Sequence, residues 1–329
     1  MQNTETYITR CTNILLLHLI TVLALFAPVQ LFANDSTSSV SAGGITLLKN
    51  ENIRMLQEVL EISTKKVTVH YRFFNESDQD IHTTVAFPLP EFEWNPEVEE
   101  HGRTDTYTTF RSFKSWTNGK PVQIKQARKA LMGNKDVTER LRKIGLNEKQ
   151  IFETFDGSKE ISKSQEKELA ELYRKMTGKK SFWLWTISET LYWEQTFPKQ
   201  QEIEVIHEYN PSVGLNLYVG NDTVQLSDLM THHNDRACLS KETASKLSKM
   251  YTSKGLSVSD IRYVLGTGKN WKGPIGSFTL RLTKDSQYQL ISLCFPGTPR
   301  KINETSLEFT QNNYTPQDRL DVYFFTPQQ

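Results

Sequence analysis

Residues 67–90 read VTVHYRFFNESDQDIHTTVAFPLP, and this stretch decides the fold class. From Lys66 to Asn75, apolar and polar side chains alternate, which is the period of a strand with one buried face. Residues 76–80 have the polar composition of a turn, and residues 84–87 begin a second apolar run that ends in the prolines of PLP. Because proline cannot donate to a central ladder, the strand ends there. The stretch therefore predicts a β-hairpin.

Strand patterns recur along the chain. Residues 108–113 and 121–124 flank Asn118-Gly119, and Asn-Gly between such runs favours a second hairpin. Further strands are predicted at residues 182–185, 191–193, 203–207, 277–282 and 320–325. Short strands separated by turns indicate a mainly β, β-sandwich-like protein.

A charged stretch at about 126–178 has helical features instead. Asn147 with Gln150 and Ser162 with Gln165 fit the capping pattern, and Gly178 fits a helix end. We interpret this stretch as a helical insertion, which makes the chain α+β overall. The turn at residues 209–212 suggests a domain boundary.

The predicted organisation therefore has three parts. A β-sandwich with its helical insertion occupies residues 34–211, and a smaller β-domain with a short helix capped by Ser240 occupies residues 212–329. Ahead of them, residues 1–33 have the pattern of a cleavable signal peptide, with Arg10, a short apolar run at 14–26 and a small residue at the cut. We expect export to the periplasm and no membrane span after cleavage. An uncleaved membrane anchor is the alternative.

Cysteine usage suits an exported protein. Cleavage would remove Cys11 and leave Cys238 and Cys294, so that a structural disulfide is the economical interpretation. Two buried free thiols are the alternative. The chain has 39 basic and 38 acidic residues, so its overall charge gives no reason to expect a nucleic-acid partner.

The glycine-rich stretch GTGKNWKG at residues 266–273 invites comparison with phosphate-binding loops. It lacks the glycine spacing of a P-loop and of a dinucleotide fingerprint, and an alternating strand follows it where both motifs need a helix. Lys269, Asn270, Trp271 and Lys272 could instead bind a sugar ring, a peptide or a partner surface. The alternative is that Trp271 packs inward.

No complete catalytic or metal-binding motif accompanies this loop. The run His232-His233-Asn234-Asp235 lacks a metal-ligand spacing, and neither GxSxG nor a cysteine–histidine pattern is present. We therefore predict no catalytic residues, no metal and no cofactor.

Four separated segments resemble an exported bacterial family known as domain of unknown function 4424. They are LFANDSTSSVSAGGITLLKNENIRM, VTVHYRFFNESDQDIHTTVAFPLPEF, WEQTFPKQQEIEVIHEYNPSVG and YVLGTGKNWKGPIGSFTLRL. The resemblance implies a Gram-negative periplasmic setting and carries over no catalytic residue. The architecture is also similar, more weakly, to the vault and inter-alpha-trypsin inhibitor domain, which is a likeness of fold alone.

These observations favour a non-catalytic envelope protein that binds an unknown protein or glycan partner. The alternative is an envelope hydrolase that acts on glycan or peptidoglycan with dispersed carboxylates. A cleft with two facing carboxylates would favour the hydrolase, and a flat polar surface would favour the binding protein.

Overall fold

The computed structural model describes residues 36–41, 44–89, 91–94, 112–152, 161–179, 185–211, 213–218, 237–317 and 319–328. All of them lie within the compact unit Phe32–Gln329. Their strands form three sheets, named A, B and C here. The predicted signal peptide lies outside the described residues. Within the described part, no helix is long and apolar enough to cross a membrane.

Sheet A has seven strands in the described part of the chain. They are β1 (Ser36–Ser41), β2 (Gly44–Leu48), β5 (Ile81–Pro88), β6 (Phe92–Trp94), β9 (Lys125–Met132), β10 (Lys135–Asp136) and β11 (Trp185–Phe197). Their order is β10-β9-β11-β5-β1-β2, with β6 also paired to β11.

Sheet B has eight described strands. They are β3 (Ile53–Ile62), β4 (Val67–Asn75), β7 (Lys114–Thr117), β8 (Lys120–Pro121), β12 (Glu202–Tyr209), β15 (Ile275–Thr283), β17 (Arg300–Lys301) and β18 (Ser306–Tyr314). Their order is β17-β18-β15-β3-β4-β12-β7-β8.

Sheet C is smaller, and the helices pack beside sheets A and C. Its strands are β13 (Gly214–Tyr218), β14 (Leu256–Val264), β16 (Leu290–Leu293) and β19 (Arg319–Pro327), in the order β13-β14-β19-β16. The described helices are α1 (Thr138–Lys143), α2 (Glu148–Phe152), α3 (Lys163–Thr177) and α4 (Lys241–Lys254). A 3-10 helix, Gly266–Asn270, separates β14 from β15.

Among the described residues, three apolar cores hold these layers together. The largest contains inward residues of all three sheets, such as Trp193 of sheet A, Tyr71 of sheet B and Phe324 of sheet C. The second packs helices α1–α3 against β9 and β11, where the Trp185 Nε1 donates to the Ile151 carbonyl oxygen at 2.9 Å. The third packs α4 against sheet C. The mainly β, α+β fold class is therefore confirmed.

Both strands of the stretch at residues 67–90 form, but the prediction that they make a hairpin is wrong. β4 pairs with β3 and β12 in sheet B, whereas β5 pairs with β1 and β11 in sheet A. The connection is an arch between the sheets. The Asn75 Nδ2 holds it by donating to the carbonyl oxygens of Gln79 at 2.9 Å and Phe197 at 2.8 Å. Alternation shows that one face of a strand is buried, but it does not identify the neighbouring strand.

The second hairpin is confirmed at its turn. Trp116 pairs with Pro121 and Thr117 with Lys120 across Asn118 and Gly119, which have φ angles of 48° and 74°. These positive values explain the Asn-Gly sequence, since both residue types tolerate that region of backbone space. Residues 108–111 of the predicted first strand lie outside the described residues.

The helical insertion begins later than predicted. Residues 125–132 form strand β9, which pairs along β11, so the expectation of helix from residue 126 is wrong there. Pairing with a long neighbour outweighs the weak strand propensity of KQARKALM, because strand preference depends on context. The capping predictions are confirmed: Ser162 and Gln165 form a reciprocal capping box, and Gly178 ends α3 with a φ of 74°.

Strands from both sides of the predicted boundary at residue 211 share one sheet. β15 pairs in parallel with β3 and antiparallel with β18. Sheet C, which also follows residue 211, contributes to the same main core. The division into two domains at this position stays a prediction.

Candidate functional site

The predicted binding segment at residues 269–272 surrounds a core residue. Trp271 is 1% exposed, and its ring centroid lies 4.6 Å from that of Phe73 and 5.9 Å from that of Phe197. An indole enclosed in this way cannot contact a ligand at the surface. The alternative of an inward-packed Trp271 therefore describes the structure.

The neighbouring residues tie the segment to two turns. The Asn50 N–H donates to the Asn270 carbonyl oxygen at 2.7 Å, and the Lys272 N–H donates to the Ile53 carbonyl oxygen at 2.9 Å. The Lys272 Nζ lies 2.6 Å from the Glu76 Oε2, and this hydrogen bond is the main reason why the pKa of Glu76 is lowered. Lys269 is exposed. A binding role for Lys269, Asn270 and Lys272 stays a prediction.

The glycines that follow satisfy backbone geometry. Gly273 has a φ of 70°, which side chains disfavour, so the turn into β15 needs glycine there. A Cβ on Gly276 would lie 2.6 Å from the Leu56 carbonyl oxygen, at the irregularity where β3 shifts register between Met55 and Gln57. The expectation that a strand and not a helix follows this stretch is confirmed by β15, and the connection from β14 contains the 3-10 helix Gly266–Asn270.

The outer face of sheet B carries a surface that sequence patterns do not indicate. Cross-strand register aligns six outward residues, one per strand, in what we call the central row: Trp116, Ile206, His70, Val59, Thr279 and Thr310. The first four are half-buried, and Trp116, Ile206 and Val59 belong to none of the three cores. At about 4.8 Å between strands, Trp116 to Val59 spans roughly 14 Å. Its first four residues, which we call the strip, place three apolar side chains on the solvent side of the sheet, with His70 between Ile206 and Val59.

A charged row lies on one side of the central row. Its members, in cross-strand order, are Lys114, Glu208, Thr68, Glu61, Arg281, Glu308 and Arg300. The Arg281 guanidinium lies 2.8 Å from both Glu61 and Glu308, and the Arg300 Nη2 lies 2.6 Å from the Glu308 Oε1. These hydrogen bonds, that of Arg281 first, lower the pKa of Glu308, so that the carboxylate is charged at neutral pH.

A second polar row lies on the other side. It consists of Glu204, Arg72, Gln57, Ser277 and Asn312. Arg72 also pairs with Glu202. The central row, with its three apolar side chains, thus lies between two rows of hydrogen-bonding groups.

Sheet A contains a buried carboxyl group. Glu189 is 5% exposed, and its Oε1 accepts no hydrogen bond from the described residues. It lies on β11 between Ile187, which belongs to the helical core, and Leu191, which belongs to the main core. Burial raises the pKa of Glu189, and the charge of Arg128, its cross-strand partner, opposes the rise.

The predicted disulfide is present. Cys238 and Cys294 are bonded, with their Cα atoms 5.0 Å apart, and they join the chain just before α4 to the end of β16. The residues His232-His233-Asn234-Asp235 lie outside the described residues.

These features define a mainly β protein with a partly apolar sheet face. The model of the family described as Domain of unknown function (DUF4424) matches residues 33–323. The chain belongs to this family, which confirms the resemblance noted in the sequence. The similarity to the vault and inter-alpha-trypsin inhibitor domain stays a prediction.

A solved structure from Legionella pneumophila subsp. pneumophila str. Philadelphia 1 is also similar. It carries a provisional description as a nutrient binding protein and is 14% identical, with a TM-score of 0.44, over 90% of this chain and 70% of that chain. At this similarity it supports no statement about function. None of the curated proteins compared with the chain matches it.

Proposed function

We propose that this protein is an exported, non-catalytic binding protein of the cell envelope that holds a protein partner on the outer face of sheet B. The central row carries the proposal. Trp116, Ile206 and Val59 lie half-buried on a solvent face and belong to none of the three cores. Apolar side chains grouped on the outside of a sheet and rimmed by polar residues are typical of an interaction surface.

The surroundings of the strip have the anatomy of a protein interface. Interfaces combine an apolar centre with a polar rim, and tryptophan and arginine are enriched in them. Here Trp116 lies at the β7 end of the strip, and Arg72 and Arg281 lie in the flanking rows. The carboxylates beside the arginines keep the net charge of the rim close to zero. The strip therefore supplies most of the affinity, and the rim fixes the position and orientation of the partner on the sheet.

Export is the second part of the proposal. The pattern at residues 1–33 motivates it, and the Cys238–Cys294 disulfide supports it, because disulfides persist in oxidising compartments. The direct test is the N-terminal mass of the mature protein in a periplasmic extract, where we expect a chain that begins at Asn34.

Cross-linking in intact cells tests the binding surface. Ile206→Arg puts a charge in the strip, while Thr196→Arg puts the same charge on an exposed position of β11 in sheet A. We expect wild type and Thr196→Arg to cross-link to the same protein and Ile206→Arg to lose it, with similar melting temperatures for all three. Equal cross-linking of both variants would exclude this face as the binding surface.

A glycan or peptidoglycan hydrolase is the second candidate, and Glu189 favours it. A carboxyl group whose pKa is raised by burial stays protonated closer to neutral pH, as a general acid requires. Purified protein and its Glu189→Gln variant should be incubated with isolated peptidoglycan. Release of soluble fragments by the wild type alone would replace the binding proposal with an enzymatic one.

A further inference from the structure

Two buried polar atoms between sheets A and B have no hydrogen-bond partner within the described part of the chain. They are the Ser115 Oγ and the Trp193 Nε1, in residues that are 3% and 1% exposed. Native proteins seldom leave such groups unsatisfied, because each loses its bonds to water on folding. Either a third group satisfies both atoms or the fold tolerates two unsatisfied groups close together.

Neighbouring residues show that the two atoms face the same part of the interior. Two residues further along each strand, the Thr117 Oγ1 of β7 donates to the Gln195 Oε1 of β11 at 2.8 Å, and this hydrogen bond bridges the two sheets. Ser115 and Trp193 each lie two residues before a member of that pair, on the same inward faces. His207 confirms the direction: it is the cross-strand partner of Ser115, and its ring centroid lies 5.3 Å from that of Trp193.

The side chains around Ser115 and Trp193 determine which chemical group a ligand must present there. Aromatic side chains enclose the position, since Tyr71, Phe87 and Phe113 have ring centroids 5.4, 5.9 and 5.2 Å from that of His207. An indole N–H can only donate, and a serine hydroxyl can donate as well. The complementary group is an acceptor oxygen, and an ion is disfavoured because Ser115 and Trp193 are only 3% and 1% exposed and an ion would lose its hydration there.

We propose that Ser115 and Trp193 form an enclosed binding site between the sheets for one small neutral molecule that presents an acceptor oxygen. The oxygen would accept from the Ser115 Oγ and the Trp193 Nε1 together. Water and a small hydroxyl or carbonyl compound share this chemistry. The site lies on the inner side of sheet B, so it is separate from the binding surface proposed on the outer side.

A high-resolution crystal structure of the protein, purified without added ligand, tests the site. We expect electron density within hydrogen-bonding distance of both atoms. Masses measured under native and denaturing conditions then separate the sources: an added mass that is lost on denaturation identifies an organic molecule, and equal masses identify water. Absence of density between the two atoms would overturn the proposal.

Two variants test whether the hydroxyl group holds the ligand. Thr117→Val removes a hydroxyl with a known partner and provides the reference, and Ser115→Ala removes the one with no partner in the described chain. We expect both to lower the folding equilibrium constant about fivefold or more, because each loses a satisfied hydrogen bond. If Ser115→Ala leaves the folding equilibrium constant unchanged or raises it, the hydroxyl binds nothing and the proposal fails. The proposal also fails if a crystal structure of Ser115→Ala shows the same electron density at the site.

Discussion

Replacing Trp271 with alanine tests whether the glycine-rich segment is a structural anchor. The side chain is 1% exposed and packs against Phe73 and Phe197. A tryptophan buries about 150–250 Å², and at about 25 cal/mol per Å² its removal costs about 4–6 kcal/mol. Measured truncations of large aromatic residues cost about 3–5 kcal/mol. We expect Trp271→Ala to lower the free energy of unfolding by about 4 kcal/mol.

Urea unfolding, followed by circular dichroism, measures this loss. With an m-value of about 3 kcal/mol per M, the midpoint should fall by roughly 1.3 M. Lys269→Ala is the matched control in the same segment, because this exposed side chain should change stability by about 0.5 kcal/mol or less. A midpoint for Trp271→Ala within the error of Lys269→Ala would refute the assignment of Trp271 to the core.

Three further changes test other contacts. Gly276→Ala should cost about 2 kcal/mol in urea unfolding, because its Cβ would lie 2.6 Å from the Leu56 carbonyl oxygen; unchanged stability would mean that the β3 irregularity yields easily. Reduction of the disulfide, whose cysteines are 56 residues apart, should cost up to about 4 kcal/mol, and an unaltered melting temperature would contradict a stabilising role. Burial raises the pKa of Glu189, so its protonated form stabilises the fold at low pH, and this contribution is lost as the pH rises through the raised pKa. Wild type should therefore lose stability relative to Glu189→Gln as the pH rises above 4.5, the ordinary pKa of the group, and melting curves that stay parallel with rising pH would be inconsistent with the shift.

The sequence predicts local structure well where neighbouring residues determine it. The capping box of Ser162 and Gln165 and the Asn118-Gly119 turn involve groups a few positions apart, and both form as expected. Strand β9 is the counterexample. Its residues favour helix locally, but β11 supplies a ladder of backbone hydrogen bonds along its length.

The candidate surfaces depend on contacts that are distant in sequence. The residues of the central row come from six strands, and only the register of sheet B aligns them. In the sequence, Trp116 and Ile206 are single apolar residues on the polar faces of their strands. The alternation of a strand assigns each residue to one face of the sheet, but it does not show which residues of other strands lie beside it. Ser115 and Trp193 likewise lie on different sheets and meet only when the layers pack.

The sequence by itself determined the fold class, the capped ends of α3 and the Asn118-Gly119 turn, since alternation, capping residues and turn residues act over short distances. It made the Cys238–Cys294 bond the economical choice, and the structure decided between that bond and two free thiols. The tertiary structure alone decided that an arch joins β4 to β5 and that Trp271 faces the core. The physical reason is that the hydrophobic effect stabilises any arrangement that buries apolar area, whichever strands provide it. Which strands cover one another therefore depends on the whole chain, and the surfaces left outside follow from that choice.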